Sequence, residues 1–153
     1  MKSLKFLAAV AVLFTLPACS LFSSGADDAD AYGEGNIPMA GEGSELKDVN
    51  FEFDSSALDS SARGNIEANA EWLKANEAVK VVVEGHCDER GTSEYNLALG
   101  ERRAQSVFSL LRELGVAGDR LSTISYGEEL PLDPGHDEAA WAKNRRAHFA
   151  VSK

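Results

Sequence analysis

Side chains able to do chemistry crowd into one short stretch, Glu84-Gly85-His86-Cys87-Asp88-Glu89-Arg90-Gly91-Thr92. A thiol, an imidazole, carboxylates and a guanidinium stand there within a single polar segment. Three kinds of chemistry come into question: metal binding, hydrolysis, and recognition of a charged ligand without reaction. A metal site needs three or four converging ligands. His86, Cys87 and Asp88 are neighbours in the chain and cannot easily close on one ion, and His136 and His148 do not obviously join them. Hydrolysis needs a general acid and a base or nucleophile at a set separation, in a cleft that excludes water. Asp88, Glu89 and His86 would have to supply these groups. No Gly-x-Ser-x-Gly or His-Glu-x-x-His occurs, and neither Cys19 nor Cys87 has a catalytic His arrangement. The expectation is therefore no catalytic residue, no metal and no cofactor, and recognition remains. Taken singly, Asp88 reads as an Asx-turn residue bonding its own backbone. His86 reads as a turn or core histidine, and Cys87 as a buried, inert thiol.

A frame must position this segment. Val49, Phe51 and Phe53 alternate with Asn50 and Glu52, the period-2 pattern of a strand. Asp59 or Ser60 can cap a following helix, whose apolar stripe is Ala62, Ile66, Ala70 and Leu73. Val79, Val81 and Val83 mark a second strand, with Lys80, Val82 and Glu84 on its other face. Gly85 to Thr92 is then a turn. A second helix is predicted from about Glu94 to Leu114, with Leu97, Ala104, Val107, Phe108, Leu111 and Leu114 facing the core and Gly115 at its stop. Leu121 to Tyr126 is a third strand. A loop with Pro131 and Pro134 leads to a short helical piece around Glu138–Asn144, and Arg146 to Val151 is a last strand with Ala147, Phe149 and Val151 inward. The order β-α-β-α-β-(short α)-β predicts one α+β domain over 44–153, its helices packed on a mixed sheet.

On the turn segment and its continuation, Ser93-Glu94-Tyr95-Asn96-Leu97 and Leu99-Gly100-Glu101-Arg102-Arg103-Ala104, the chain resembles the OmpA-like peptidoglycan-binding domain family, and within it the peptidoglycan-associated lipoproteins. Phe51-Glu52-Phe53-Asp54, Ser125-Tyr126-Gly127-Glu128, Gly135-His136-Asp137-Glu138-Ala139-Ala140 and Asn144-Arg145-Arg146 extend the likeness in order along the domain. The resemblance implies non-covalent binding of the diaminopimelate in wall stem peptides. That group ends with an ammonium and a carboxylate on one carbon, so a binder needs a fixed acid beside a fixed guanidinium. The family's acid and arginine fall on Asp88 and Arg103. Asp88 would receive the ammonium, and Arg103 would fork two hydrogen bonds to the carboxylate, which Lys cannot reproduce. Alone, Arg103 is a solvated helix charge. It lies about nine residues into its helix, ~14 Å along the axis, so the turn must fold back beside it. The resemblance also implies that Phe53 and Asp54 line the pocket. Asn96 and Leu99 share a helix face with Arg103, and Arg90 and Arg145 are placed to meet other peptide carboxylates or carbonyls. It further implies a part in the Tol–Pal system, with support of constriction during division. TolB is then the expected protein partner, with other Tol components beside it.

The chain's start fits an exported, anchored protein. Lys2 and Lys5 precede an apolar run from Leu4 to Leu16, too short to span a bilayer core of ~30 Å. It suits a signal peptide over 1–18. Leu16-Pro17-Ala18-Cys19 resembles a bacterial lipobox, implying lipidation of Cys19. Several acyl chains on that residue would anchor stably where one would not. Ser20, rather than Asp, points to the outer membrane. Residues 19–43 are acidic, rich in Gly and Ser and without periodicity, which reads as a disordered tether reaching ~80 Å at most. From Cys19 onward, 13 basic residues stand against 25 acidic, a net charge of −12. Such a surface excludes nucleic acid as a partner, which would demand a basic face. It also repels an anionic polymer, so binding to cell-wall material must come from a local pocket.

Overall fold

The computed structural model describes residues 45–152. The expected signal peptide, Cys19 and the tether lie outside the described residues. The elements are β1 (Val49–Asn50), α1 (Ser60–Ala75), β2 (Lys80–His86), α2 (Ser93–Glu113), a 3-10 turn at Gly118–Arg120, β3 (Leu121–Gly127), α3 (Glu138–Asn144) and β4 (Arg146–Ser152). The sheet runs β1-β4-β2-β3. The β1–β4 and β4–β2 pairs are antiparallel and β2–β3 is parallel, as a strand–helix–strand crossover through α2 requires. This is the expected α+β domain with a mixed sheet. No helix among the described residues is long and apolar enough to cross a membrane.

Local chemistry accounts for the element ends. Asp59 takes the cap of α1, its carboxylate accepting the Ala62 N–H at 2.7 Å. Thr92 caps α2, accepting the Tyr95 N–H at 3.2 Å. Each supplies an acceptor for an N–H that the helix cannot satisfy itself. The first strand is shorter than the alternation of Val49, Phe51 and Phe53 suggests. Phe51 still donates its N–H to the Arg145 carbonyl at 2.9 Å. The chain then turns through Asp54, whose φ of 53° is left-handed, and Phe53 swings out to 56% exposure. Asp tolerates this region better than most side chains.

The core gathers Val49, Phe51, Ile66, Leu73, Val81, Val83, Val107, Leu111 and Phe149. Phe108, Leu114 and Val151 pack at its margin. Leu97, expected on the core face of α2, is instead 39% exposed. Asn96, Leu99 and Arg103 take the inward face at that end of the helix, and Leu97 stands about 100° round from Asn96. The rotation is fixed by a close approach of backbones. A Cβ on Gly85 of β2 would overlap the Gly100 carbonyl of α2, and one on Gly100 would run into Ser125 Oγ and the Gly85 carbonyl. Helix α2 therefore rests directly on β2, and Arg103, one turn beyond Gly100, meets the end of that strand.

Two histidines on β2 and β4 titrate in opposite senses. His86 is buried, and neither ring nitrogen finds a hydrogen-bond partner among the described residues. Glu84 lies 3.7 Å from Nε2, too far for a hydrogen bond, and the ring stacks on Tyr126. Burial pushes the His86 pKa below its ordinary 6.5. His148 Nδ1 sits 2.7 Å from the Asp48 carboxylate, and that hydrogen bond lifts its pKa above 6.5. The stability held by neutral His86 is lost as pH falls below 6.5, where the unfolded chain takes the proton and the fold resists it. The stability held by charged His148 is complete below 6.5 and lost as pH rises through its raised pKa. Urea midpoints are expected to peak near neutrality. His86→Phe should flatten the acid side and His148→Asn the alkaline side, and slopes unchanged in both variants would contradict this assignment.

Candidate ligand site

A cavity of about 210 Å³ opens where the β1–α1 loop, the β2–α2 turn and the start of α2 meet. Of the eight ligand-site residues expected from the sequence, seven line it: Phe53, Asp54, Asp88, Arg90, Asn96, Leu99 and Arg103. Arg145 stands behind Asp88, outside the lining but in contact with it. The turn thus folds back beside α2, as the pairing of Asp88 with Arg103 requires.

The two principal residues differ in detail from the expectation. Asp88 is not an open carboxylate. Oδ1 accepts the Arg90 backbone N–H and Nε, each at 3.1 Å. Oδ2 accepts Arg90 Nη2 at 2.7 Å and Arg145 Nη1 at 3.3 Å. Burial by itself would raise the Asp88 pKa, but the bonds from Arg90 and Arg145 outweigh it and hold the group below its ordinary 3.8. Asp88 is thus ionised and fully partnered. The backbone bond to residue 90 is the Asx-turn of the simplest reading, so turn and site roles coexist in one side chain.

Arg103 is neither a solvated charge nor a free fork. It is 0% exposed. Nε donates to the Ser55 carbonyl at 2.8 Å, Nη1 to the His86 carbonyl at 2.8 Å and Nη2 to the Glu52 carbonyl at 3.0 Å. Nη1 also reaches Cys87 Sγ at 3.4 Å. The guanidinium ties the β1–α1 loop to the end of β2, and so builds the cavity it lines. One Nη2 hydrogen is not used by these bonds, and the guanidinium sets a buried positive charge in the cavity wall.

The remaining residues form the walls. Asn96 Nδ2 donates to the carbonyls of Asp88 and Arg90, both at 3.3 Å, and to the Glu128 carboxylate. Asp54 accepts the Tyr95 hydroxyl at the rim, and Leu99 supplies a buried apolar side. Arg145 is buried, with Nε on the Phe51 carbonyl at 3.0 Å and Nη2 on Glu138 at 2.8 Å. It therefore buttresses Asp88 from behind this cavity, and lines a separate one with Phe51 and Glu52. Cys87 is buried as expected, its Sγ donating to the Asn96 carbonyl at 3.3 Å, and burial pushes the thiol pKa up.

Several participants escaped sequence reasoning. Tyr95 and Gly91 line the cavity, and Trp141 lays its ring on the Arg90 guanidinium, 4.2 Å from the ring centroid. Tyr95 stands one residue before Asn96 and could have been drawn from the capped first turn. Trp141 is some fifty positions from Arg90 in the chain, and no spacing announces it. Among the described residues no group of His, Cys, Asp or Glu is placed to hold a metal ion.

The model of the OmpA family matches residues 50–145, which takes in every element that builds the cavity. A peptidoglycan-associated lipoprotein of Haemophilus influenzae is 42% identical over 150 residues, covering 95% of this chain and 98% of that one. One from Legionella pneumophila is 48% identical over 99 residues. That match takes in 65% of this chain and 56% of the Legionella protein, so it spans little more than half of the relative's length. The crystal structure of the peptidoglycan-associated lipoprotein from Burkholderia pseudomallei superposes with a TM-score of 0.67 at 42% identity, over 69% of this chain and 90% of that one. Mixed sheet and crossover helix thus agree with the match along the sequence, and the chain belongs to the OmpA family.

Proposed function

We propose that this protein is an outer-membrane lipoprotein that binds peptidoglycan without cleaving it, through the diaminopimelate of stem peptides. Its lipid anchor on Cys19 and its wall-binding domain would together tie outer membrane to cell wall. The domain faces the periplasm in this reading, and a tether with an r.m.s. span of ~25–30 Å lets it search nearby wall at raised effective concentration. The protein works in the Tol–Pal system, where it supports envelope integrity and constriction during division, with TolB and other Tol components as partners. The relatives' shared name supports the association with peptidoglycan.

The observation that carries the reading is the meeting of Asp88 and Arg103, fifteen residues apart in sequence, at one small cavity. A zwitterion fits this polarity. The ammonium goes to Asp88, and the carboxylate goes to the Arg103 end and its uncommitted Nη2 hydrogen. The net charge of −12 from Cys19 onward makes such a local device necessary, because long-range electrostatics oppose an anionic wall. Incubation of the purified protein with diaminopimelate-type peptidoglycan should sediment it with the wall, release no muropeptides, and be reversed by free diaminopimelate. Failure to sediment would defeat the reading, and released fragments would make the protein an enzyme.

A further inference from the structure

Arg90 is doing to Asp88 what a ligand's cation would have to do. Its Nε and Nη2 lie against the two carboxylate oxygens at 3.1 and 2.7 Å. Its guanidinium is stacked between two aromatic rings, 4.1 Å from the centroid of Phe53 and 4.2 Å from that of Trp141. A carboxylate floor with an aromatic face on either side is a recognition site for a cation. With the Arg145 Nη1 bond added, the acceptor sites of the Asp88 carboxylate are taken. A second cation can be received there only by exchange.

Of the two arginines on Asp88, Arg90 is the one able to leave. Arg145 is buried and held by the Phe51 carbonyl and Glu138. Arg90 is 32% exposed in its side chain, and its other acidic neighbour is the exposed Glu138 carboxylate at 3.7 Å. Glu138 therefore offers a place for the guanidinium to swing to. Phe53 and Arg90 line the Asp88 cavity, and Trp141 lines a second one of about 350 Å³ with Glu89 and His136.

We propose that the slot between Phe53 and Trp141 above Asp88 is a cation site, filled by the protein's own Arg90 until a ligand ammonium displaces it. Arg90 is then a specificity residue. Exchanging one cation for another leaves Asp88 paired throughout, whereas a neutral ligand could not take the place of the guanidinium. The cost is weaker binding, since only the fraction with Arg90 swung out is competent. The inference rests on the wall-binding reading for its ligand, but the slot itself can be probed without it.

Trp72 and Trp141 are the chain's two tryptophans, so in a Trp72→Phe background emission reports on Trp141. Full-length protein with Arg90, Arg90→Lys or Arg90→Gln would be titrated with meso-diaminopimelate by calorimetry, and with ethylguanidinium by emission. Circular dichroism would check each variant's fold. Arg90→Gln is expected to bind diaminopimelate about three- to tenfold more tightly than the parent, with Arg90→Lys between them. Ethylguanidinium should shift Trp141 emission in Arg90→Gln and leave the parent unchanged. Equal or weaker diaminopimelate binding by both variants overturns the proposal. If no protein binds diaminopimelate, the wall reading fails. The ethylguanidinium response then decides the slot alone: a shift confined to Arg90→Gln supports it, and no shift overturns it.

Discussion

Asp88→Asn is expected to weaken diaminopimelate binding by on the order of 30- to 4,000-fold while leaving the domain folded. The substitution keeps the side chain's shape and one acceptor oxygen, so Arg145 retains a partner there in addition to Phe51 and Glu138. What it removes is the negative charge that faces the ammonium. Truncating one member of a buried, hydrogen-bonded charge pair costs about 2–5 kcal/mol, and each ~1.4 kcal/mol is tenfold in affinity. The loss should appear both in calorimetry with free diaminopimelate and in sedimentation with whole peptidoglycan. The wild-type carboxylate, held below its ordinary pKa by Arg90 and Arg145, stays ionised through mild acid, so wild-type binding should be level between neutrality and about pH 5. Wild-type affinity in Asp88→Asn would remove the acid from the site.

The sequence disclosed the frame and the membership of the site better than the state of its side chains. Periodicity found the strands and helices because each buries a face: the valines of β2, the stripe of α1 and the alternation in β4 are direct records of packing. It failed at Leu97, where α2 runs past the core and a polar cavity takes the inward face. It also overran at Phe53, beyond the end of β1 at Asn50, where the chain turns through a left-handed Asp54 and exposes an apolar residue that alternation alone would keep inside. The residues that line the cavity were legible through several separated motifs in order, not through spacing. No periodic rule brings Arg103 to the carbonyls of Glu52, Ser55 and His86. The occupancy of Asp88 by Arg90 was hidden for a related reason. A charge two residues away is free to point anywhere until Phe53 and Trp141 close on it, and those lie far off in the chain on either side. Propensity and pattern report what one segment prefers, and the site is made where three segments meet.

That meeting gives Arg103 an effect on stability which the ligand-fork reading did not anticipate, since on that reading Arg103→Ala leaves the fold intact. Removing the guanidinium strips the donor from the carbonyls of Ser55 and His86 and one of two from Glu52, which keeps the Ser55 N–H at 3.3 Å, and leaves a void beside Cys87. Each buried acceptor left without a donor costs about 1–3 kcal/mol. Water entering from the adjoining cavity recovers part of this, so Arg103→Ala should lose roughly 3–5 kcal/mol, a large share of the ~5–15 kcal/mol that holds a domain together. Arg103→Lys keeps the charge, but a single ammonium at the end of a flexible stem cannot serve carbonyls spread around a planar fork. It should lose about half as much. Both variants should bind diaminopimelate poorly, because the β1–α1 loop that carries Phe53 and Asp54 is no longer pinned to the end of β2. Urea unfolding beside calorimetry separates this from a direct contact. A loss of binding that tracks a fall in the urea midpoint marks Arg103 as the builder of the cavity. Lost binding at wild-type stability in both variants would return it to the role of a fork on the ligand, and would mean that the three carbonyls find other donors.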